Sequence, residues 1–439
     1  MKRLILAVVV LLAVAVTAAP FVTGHVMEDT LTEVEHFPGT RDALRLEVTE
    51  YQRGYLESQA ESELVLRLPE QEPVRVKLSH RIDQLPGIDG RYATVHTRWE
   101  PSDPALREQL AEVFGEDAEF TLATALYPTG GSSSTGRVPT IDRDGVVFSG
   151  ADLRLETSAG GGFDYQVESD RLAVDDRAEG VETGAGMNAE RLRLAASGEV
   201  ADDGFVWDSN GRLEVGRLEV VEPDSNGSIE DLTIGFDTSR EEGLFRFAVD
   251  YQVAEARIEG ETFSDARMRL AVDRLDAGAV RTIAERTEEL QELAAQGADI
   301  EQAVGEVMRE ELPALLSHGP RVAIDPIEAT TAEGGTEMAL SVELPAGVVD
   351  GEPNPMMWMA MLSAVVVEGS LSMPLALLER QAAARGQAGQ VEQQLAPLVA
   401  QGWLAIEDGM VRTTVDFRQG NLKLNGTSAN QLLNMAFGG

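Results

Sequence analysis

The sequence predicts an α+β fold, predominantly antiparallel β. Long amphipathic strands and meanders carry inserted helical hairpins, and one N-terminal transmembrane helix precedes them. Three observations predict it. An uncharged run of nineteen residues, Leu4 to Val22, follows Met1-Lys2-Arg3. Alternation of apolar and polar residues at period two dominates from Ala43 to Leu275, and helical periodicity takes over between 277 and 317.

At ~1.5 Å rise per residue the apolar run approaches the ~30 Å hydrocarbon core of a bilayer. Lys2 and Arg3 precede it, and Glu28, Asp29, Glu33 and Glu35 follow it. The positive-inside rule therefore leaves Met1 in the cytoplasm and everything after Thr23 outside. Small residues at Ala13-Val14-Ala15 and Thr17-Ala18-Ala19 offer signal-peptidase sites, but the run continues through Pro20, Phe21 and Val22, beyond a usual signal core. Residues 1–25 are thus read as a retained anchor, giving a single-pass inner-membrane protein with its bulk periplasmic. Val26, Met27, Thr30, Leu31 and Val34 then recur at helical spacing, predicting a short juxtamembrane helix that ends near Pro38-Gly39.

Residues 26–275 form a β-rich region. Leu64, Leu66 and Leu68 alternate with polar neighbours, as do Val74, Val76, Leu78, His80 and Ile82, and then Ala93, Val95, Thr97 and Trp99. Residues 101–118 are partly helical. Thr129 to Gly136 (TGGSSSTG) reads as a flexible loop, and no Gly-Lys-Ser/Thr follows to make it a phosphate loop. Asn210-Gly211 predicts a hairpin turn, since both residues tolerate positive φ. Leu213 and Val215 lie in one phase and Leu218 and Val220 in the other, which places a β-bulge at Gly216. The tetrapeptide Asp-Tyr-Gln-Val occurs at Asp164–Val167 and again at Asp250–Val253, suggesting equivalent strands with Tyr165 and Tyr251 inward.

Residues 276–320 read as a helical hairpin: Val280, Ile283 and Leu290 make one apolar face, and Ile300, Val304, Val307, Met308 and Leu315 the other, behind an N-cap at Asp299. Pro313 should kink the second helix, and Gly319-Pro320 stops it. Residues 321–439 complete the same body, with strands at Arg321–Ile327 and Met338–Leu344 and helices near 374–385 and 389–400. A meander with turns at Glu407-Asp408-Gly409 and Gln419-Gly420 closes it. Met356, Met357, Met359 and Met361 around Trp358 read as core. The stretch Val280–Leu316 has enough apolar positions to cover one sheet face, and the methionines to plug the remainder. A filled core is expected.

The charge balance sets function classes aside. The chain holds 75 acidic against 36 basic residues, with acids dispersed throughout, so phosphate backbones are repelled and nucleic acid is no expected partner. Dispersed acids fit a hydrated surface in a salty exterior. With no cysteine there is no disulfide, thiolate ligand or cysteine nucleophile.

Tyr51-Gln52-Arg53-Gly54-Tyr55-Leu56-Glu57-Ser58-Gln59-Ala60, preceded by an anchor and Thr23-Gly24-His25, resembles the opening signature of the YdgA-like family of bacterial envelope proteins of unknown function. Gln401-Gly402-Trp403-Leu404 and Gly420-Asn421-Leu422-Lys423-Leu424-Asn425-Gly426 are similar to the family's end. The resemblance implies an inner-membrane anchor and a periplasmic body, and it implies no catalytic residues. Tyr51, Arg53, Gly54, Tyr55, Ser58 and Ala60 are read as a folding element in which Gly54 permits a bend while Tyr55 and Leu56 fill a core edge.

Chemistry-bearing motifs are missing from the sequence. His25, His36, His80, His96 and His318 include no pair at zinc-ligand spacing, and neither a nucleophile elbow nor a dinucleotide fingerprint occurs. Asp224, Asn226, Ser228, Glu230 and Asp231 resemble a calcium loop, but Gly227 stands at the fourth position where an EF-hand needs glycine at the sixth, so a solvated turn is expected. No cofactor or metal is predicted. The expected function is a non-catalytic scaffold or interaction factor with an envelope protein as partner. The alternatives are a lipid-handling protein with an apolar β groove, and an enzyme with a carboxylate site.

Overall fold

The computed structural model describes residues 36–37 and 41–432, apart from 55, 67–73, 85–86, 102–103, 116–118, 144, 176–184, 202, 222–225, 259, 296–299, 350–354, 385 and 388. The run Leu4–Val22, the juxtamembrane stretch, Tyr55, Asp224 and Asp299 lie outside the described residues. Among the described residues no helix is long and apolar enough to cross a membrane. Among the described residues the protein is mostly antiparallel sheet with six helices, and it divides into two units, Met1–Asn226 with Gln291–Ala298, and Gly227–Leu290 with Asp299–Gly439. That division falls inside the stretch the sequence reads as one β-rich region.

In the first unit the strands are β1 (His36–Phe37), β2 (Arg41–Gln52), β3 (Glu57–Leu66), β4 (Val74–Asp83) and β5 (Ala93–Pro101), followed by helix α1 (Pro104–Phe114). Then come β6 (Phe120–Leu126), β7 (Ser132–Val138), β8 (Ile141–Arg143), β9 (Val146–Phe148), β10 (Ala151–Thr157), β11 (Gly162–Asp175), β12 (Gly186–Val200) and β13 (Val206–Val221). They pair in sequence order up to β7, which pairs with β10, and onward to β13; the β8–β9 hairpin joins the far end of β11. Alternation supplies the core. Leu46, Leu64, Leu78, Trp99, Phe120, Val138, Ile141 and Phe148 are buried together, each side chain contributing about 1.5–3 kcal/mol. Phe114 of α1 meets Phe120 edge to face at 5.1 Å between ring centroids, which seats the helix on this cluster.

Three expectations need correction here. The predicted loop Thr129–Gly136 is mostly strand: β7 runs Ser132–Val138 between β6 and β10. Its buried hydroxyls find partners, Ser134 with Thr124 at 2.9 Å and Ser132 with Thr157 at 2.9 Å, so polar composition does not prevent burial. Asn210-Gly211 lies inside β13, opposite Ser197 and Ala196, and the turn falls earlier, at Ala201–Phe205 with Gly204 at φ 78°. No bulge occurs at Gly216, because Glu190↔Arg217 and Leu192↔Val215 keep one register. The phase reversal is made by Arg191 at φ 55°, whose side chain lies where a Cβ on Gly216 would sit, 2.2 Å from Arg191 Nε. Val167 precedes and Leu172 follows the reversal on β11, yet both pack against the same core cluster.

The second unit comprises β14 (Asn226–Glu241), β15 (Leu244–Ile258), β16 (Glu261–Asp276), α2 (Ala277–Ala295), α3 (Ile300–Leu316), β17 (Arg321–Thr331) and β18 (Gly334–Glu343). It continues with α4 (Pro355–Ala364), β19 (Val366–Pro374), α5 (Leu375–Ala384), α6 (Val391–Ala400), β20 (Ala405–Glu407), β21 (Met410–Arg418), β22 (Asn421–Leu424) and β23 (Thr427–Ser428). The ladder runs β14 to β19, then β21, β22 and β23, all antiparallel, with β20 beside β21. Asp276 caps α2 by accepting the Ala279 amide at 2.8 Å, and Gly319 at φ 72° ends α3. The calcium-like Asn226–Asp231 stretch opens β14 and is no turn. The methionine helix α4 is split: Met357 is buried beside Leu344 and Val349, but Met359 is 69% exposed, against its expected place in the core. Tyr165 and Tyr251, the echoed tyrosines, both sit half-buried on strands.

Candidate functional site

The signature residues build the β2–β3 hairpin. Tyr51 pairs with Ala60 and packs against Ala60, Ile82, Ala93, Val95 and Leu126. A Cβ on Gly54 would stand 1.8 Å from the Glu57 carbonyl oxygen, so the turn admits no side chain there. Buried Ser58 accepts hydrogen bonds from the Gly54 amide at 3.1 Å and Gln84 Nε2 at 2.8 Å. Arg53 is exposed. Leu56, expected at a core edge, is exposed as well; its backbone carbonyl accepts the Gln84 amide at 2.9 Å while its side chain faces solvent. At the other end buried Trp403 donates to the Ser428 carbonyl at 3.2 Å, and its own carbonyl accepts from Thr413 and Asn425 at 2.9 and 3.2 Å. None of these groups forms an acid–base or nucleophilic set.

One constellation has the order of a nucleophile, a base and an orienting group. Ser62 Oγ lies 2.7 Å from His80 Nε2, and His80 Nδ1 lies 2.9 Å from Thr97 Oγ1. All three are buried on the core face of β3, β4 and β5, and burial lowers the His80 pKa from 6.5 to about 4. A neutral imidazole locked between two hydroxyls without solvent access is a packing device. His96 lies 3.2 Å from Asp83 and His318 3.3 Å from Asp276, both exposed. Among the described residues no group of three His, Cys, Asp or Glu side chains could hold a metal.

The feature with functional content is one face of the second unit. Strand pairing sets Phe236, Val249, Leu270, Ile324, Leu340, Gly369, Val415 and Leu424 in a row across β14–β19, β21 and β22. A parallel row holds Phe247, Val272, Val322, Val342, Val367, Phe417 and Leu422. At ~4.8 Å between strands the first row, on eight strands, is about 34 Å long and the second, on seven, about 29 Å. Phe236, Val322, Leu340 and Val342 are 36–41% exposed. Because β17 and β18 are flanked on both sides by strands, that exposure can arise only through the open face. The expectation that Val280–Leu316 and the methionine cluster cover a sheet face completely fails at this point. Turns and bulges aside, the opposite face is ionic: Arg269 joins Asp250 and Asp237 at 2.9 Å each, Arg246 joins Asp273 at 3.0 Å, and Arg418 joins Glu368. Sequence alternation reveals that such a row exists, but nothing in the alternation says whether another layer lies on it.

A family model described as a bacterial protein of unknown function, DUF945, matches residues 1–430. The chain belongs to the DUF945 family. No curated protein and no solved structure matches it. The DUF945 match spans the signature hairpin, the ionic face and the apolar rows alike, so each is a feature of a family member and none is an appended module.

Proposed function

We propose that this DUF945 protein is held at the inner membrane by Leu4–Val22, with its body in the periplasm, and that the apolar face of its second unit shelters acyl chains. The YdgA-like resemblance of Tyr51–Ala60 supports the envelope placement. The observation that carries the reading is the pair of apolar rows, half-buried to exposed and about 34 and 29 Å long. Each exceeds the ~15 Å depth of one bilayer leaflet, half of a ~30 Å core, so an acyl chain laid along a row is covered over its length. Their composition favours lipid over protein. The two rows contain no Trp or Arg, the residues that anchor protein interfaces, and consist of Val, Leu, Ile and Phe with one Gly. Contiguous apolar surface of this kind marks a binding face.

Photo-crosslinking in intact cells tests the reading. Benzoylphenylalanine at position 340 should yield phospholipid adducts, and the same group at Glu368 on the ionic face should not. Adducts at 340 with protein alone would replace lipid handling by scaffolding. The topology is checked separately by Gln387→Cys, an exposed position that an impermeant thiol reagent should label from the periplasmic side; protection there would reverse the orientation.

A further inference from the structure

The first unit carries a trough of about 820 Å³ on the polar face of β3–β7. Small residues, Ser79, Thr121, Ala123 and Thr135, form its floor between longer polar side chains, because the large apolar side chains of these strands point to the buried side. Pairing aligns Glu61, Ser79, Arg98, Thr121 and Arg137 in one row across five strands, and Gln59, Arg81, His96, Ala123 and Thr135 in the next. Charge at the trough is balanced where the chain as a whole is acidic, each lining arginine having a carboxylate partner at the rim. The lining holds Arg81, Arg98 and Arg137 against a single carboxylate, Glu61, in a molecule with 75 acidic and 36 basic residues. Glu61 is itself matched by Lys77 at 2.8 Å. Within an acidic protein, a concave surface lined by three arginines is where a small anion meets the least repulsion.

We propose that the trough binds a phosphate group, seated over Thr121 between Arg98 and Arg137. These arginines stand two strand spacings apart, about 10 Å, on either side of Thr121. Guanidinium groups at that separation meet a tetrahedral oxyanion from both sides, each offering paired N–H donors. The Thr121 hydroxyl supplies a donor from the floor, and Arg81 lies on the neighbouring row. Their present partners are exposed carboxylates, Glu119 at 3.0 Å from Arg98, Asp152 at 3.8 Å from Arg137 and Asp83 at 3.6 Å from Arg81. Exposed ion pairs of this kind are weak, so an arriving phosphate displaces them readily. The phosphate comes either free or as a lipid headgroup, since both present the same oxyanion.

Isothermal titration of the detergent-solubilised full chain with inorganic phosphate at low salt tests the site. Saturable binding should weaken at least tenfold in Arg98→Ala and in Arg137→Ala, with melting temperature unchanged. Arg217→Ala, a surface arginine outside the trough, should bind as the parent does, and Arg98→Lys should retain part of the affinity. Competition by dioctanoyl phosphatidic acid assigns the site to a lipid headgroup; its failure to compete assigns it to free phosphate. Absence of saturable binding, or equal loss in Arg217→Ala, overturns the proposal.

Discussion

At the scale of single residues, the strongest constraints fall on Gly54 and His80. A Cβ on Gly54 collides with the Glu57 carbonyl oxygen at 1.8 Å, and backbone cannot step aside as a side-chain end can. Gly54→Ala should therefore cost about 3 kcal/mol, read as a lower urea midpoint. His80 makes a pH prediction. Its folded pKa, about 4, lies below the 6.5 of the unfolded chain, so the unfolded state takes up the proton first as pH falls. Stability from this residue is complete above pH 6.5 and is lost progressively towards pH 4. The total is on the order of 3 kcal/mol. Urea unfolding at pH 7.5 and 4.5 should show a loss that His80→Gln reduces; an equal loss in both proteins would exclude His80 as its source. The sequence places Gly54 in a signature and His80 on an apolar phase. It does not contain the 1.8 Å approach or the two hydroxyls that flank the imidazole, because their partners come from other strands.

At the scale of elements, β7 shows how a serine-rich segment becomes a central strand. Its neighbours offer hydroxyls at matching register, Thr124 to Ser134 and Thr157 to Ser132, so each buried oxygen is satisfied. Thr124→Val should destabilise by about 1–3 kcal/mol by removing the partner of Ser134. Adding Ser134→Ala should recover part of that loss, a coupling visible in a double-mutant cycle on urea midpoints. Additive losses would mean that the two hydroxyls do not act together. Alternation made the long aliphatic strands legible, and turns with a left-handed residue before glycine were legible too: Asp408 and Gln419 take φ 52° beside Gly409 and Gly420. Asn210-Gly211 carried the same turn signature without making a turn. There the long pairing of β12 with β13 outweighs a local preference.

At the scale of the whole molecule, the apolar rows and the arginine-lined trough set the functional expectations. If nothing packs on the rows, polar substitution there should be nearly neutral for folding. Val342→Thr and Leu340→Gln should shift stability by less than about 0.5 kcal/mol, as exposed positions do. Leu64→Ala and Leu78→Ala, fully buried, should each cost about 2–5 kcal/mol. Thermal unfolding of the four variants separates the two classes, and large losses at 340 and 342 would show that the face is packed in solution. The same two surface variants should lower phospholipid crosslinking at Phe236, a position on the same row, without loss of folded protein.

The amino-acid sequence by itself determined the predominantly antiparallel β class, two consecutive helices after Leu275 and the closing meander. Each of these is written in short-range periodicity or in residue type, which no distant contact alters. Membership of a bacterial family of unknown function also follows from the chain alone, through the match over residues 1–430. Tertiary structure alone decided which faces are covered. Leu64 and Leu340 both stand on alternating strands, yet Leu64 is fully buried and Leu340 is 37% exposed. Alternation reports that a strand has an apolar side. Whether that side meets another layer or solvent depends on where segments far away in sequence come to rest, and local pattern carries no record of that.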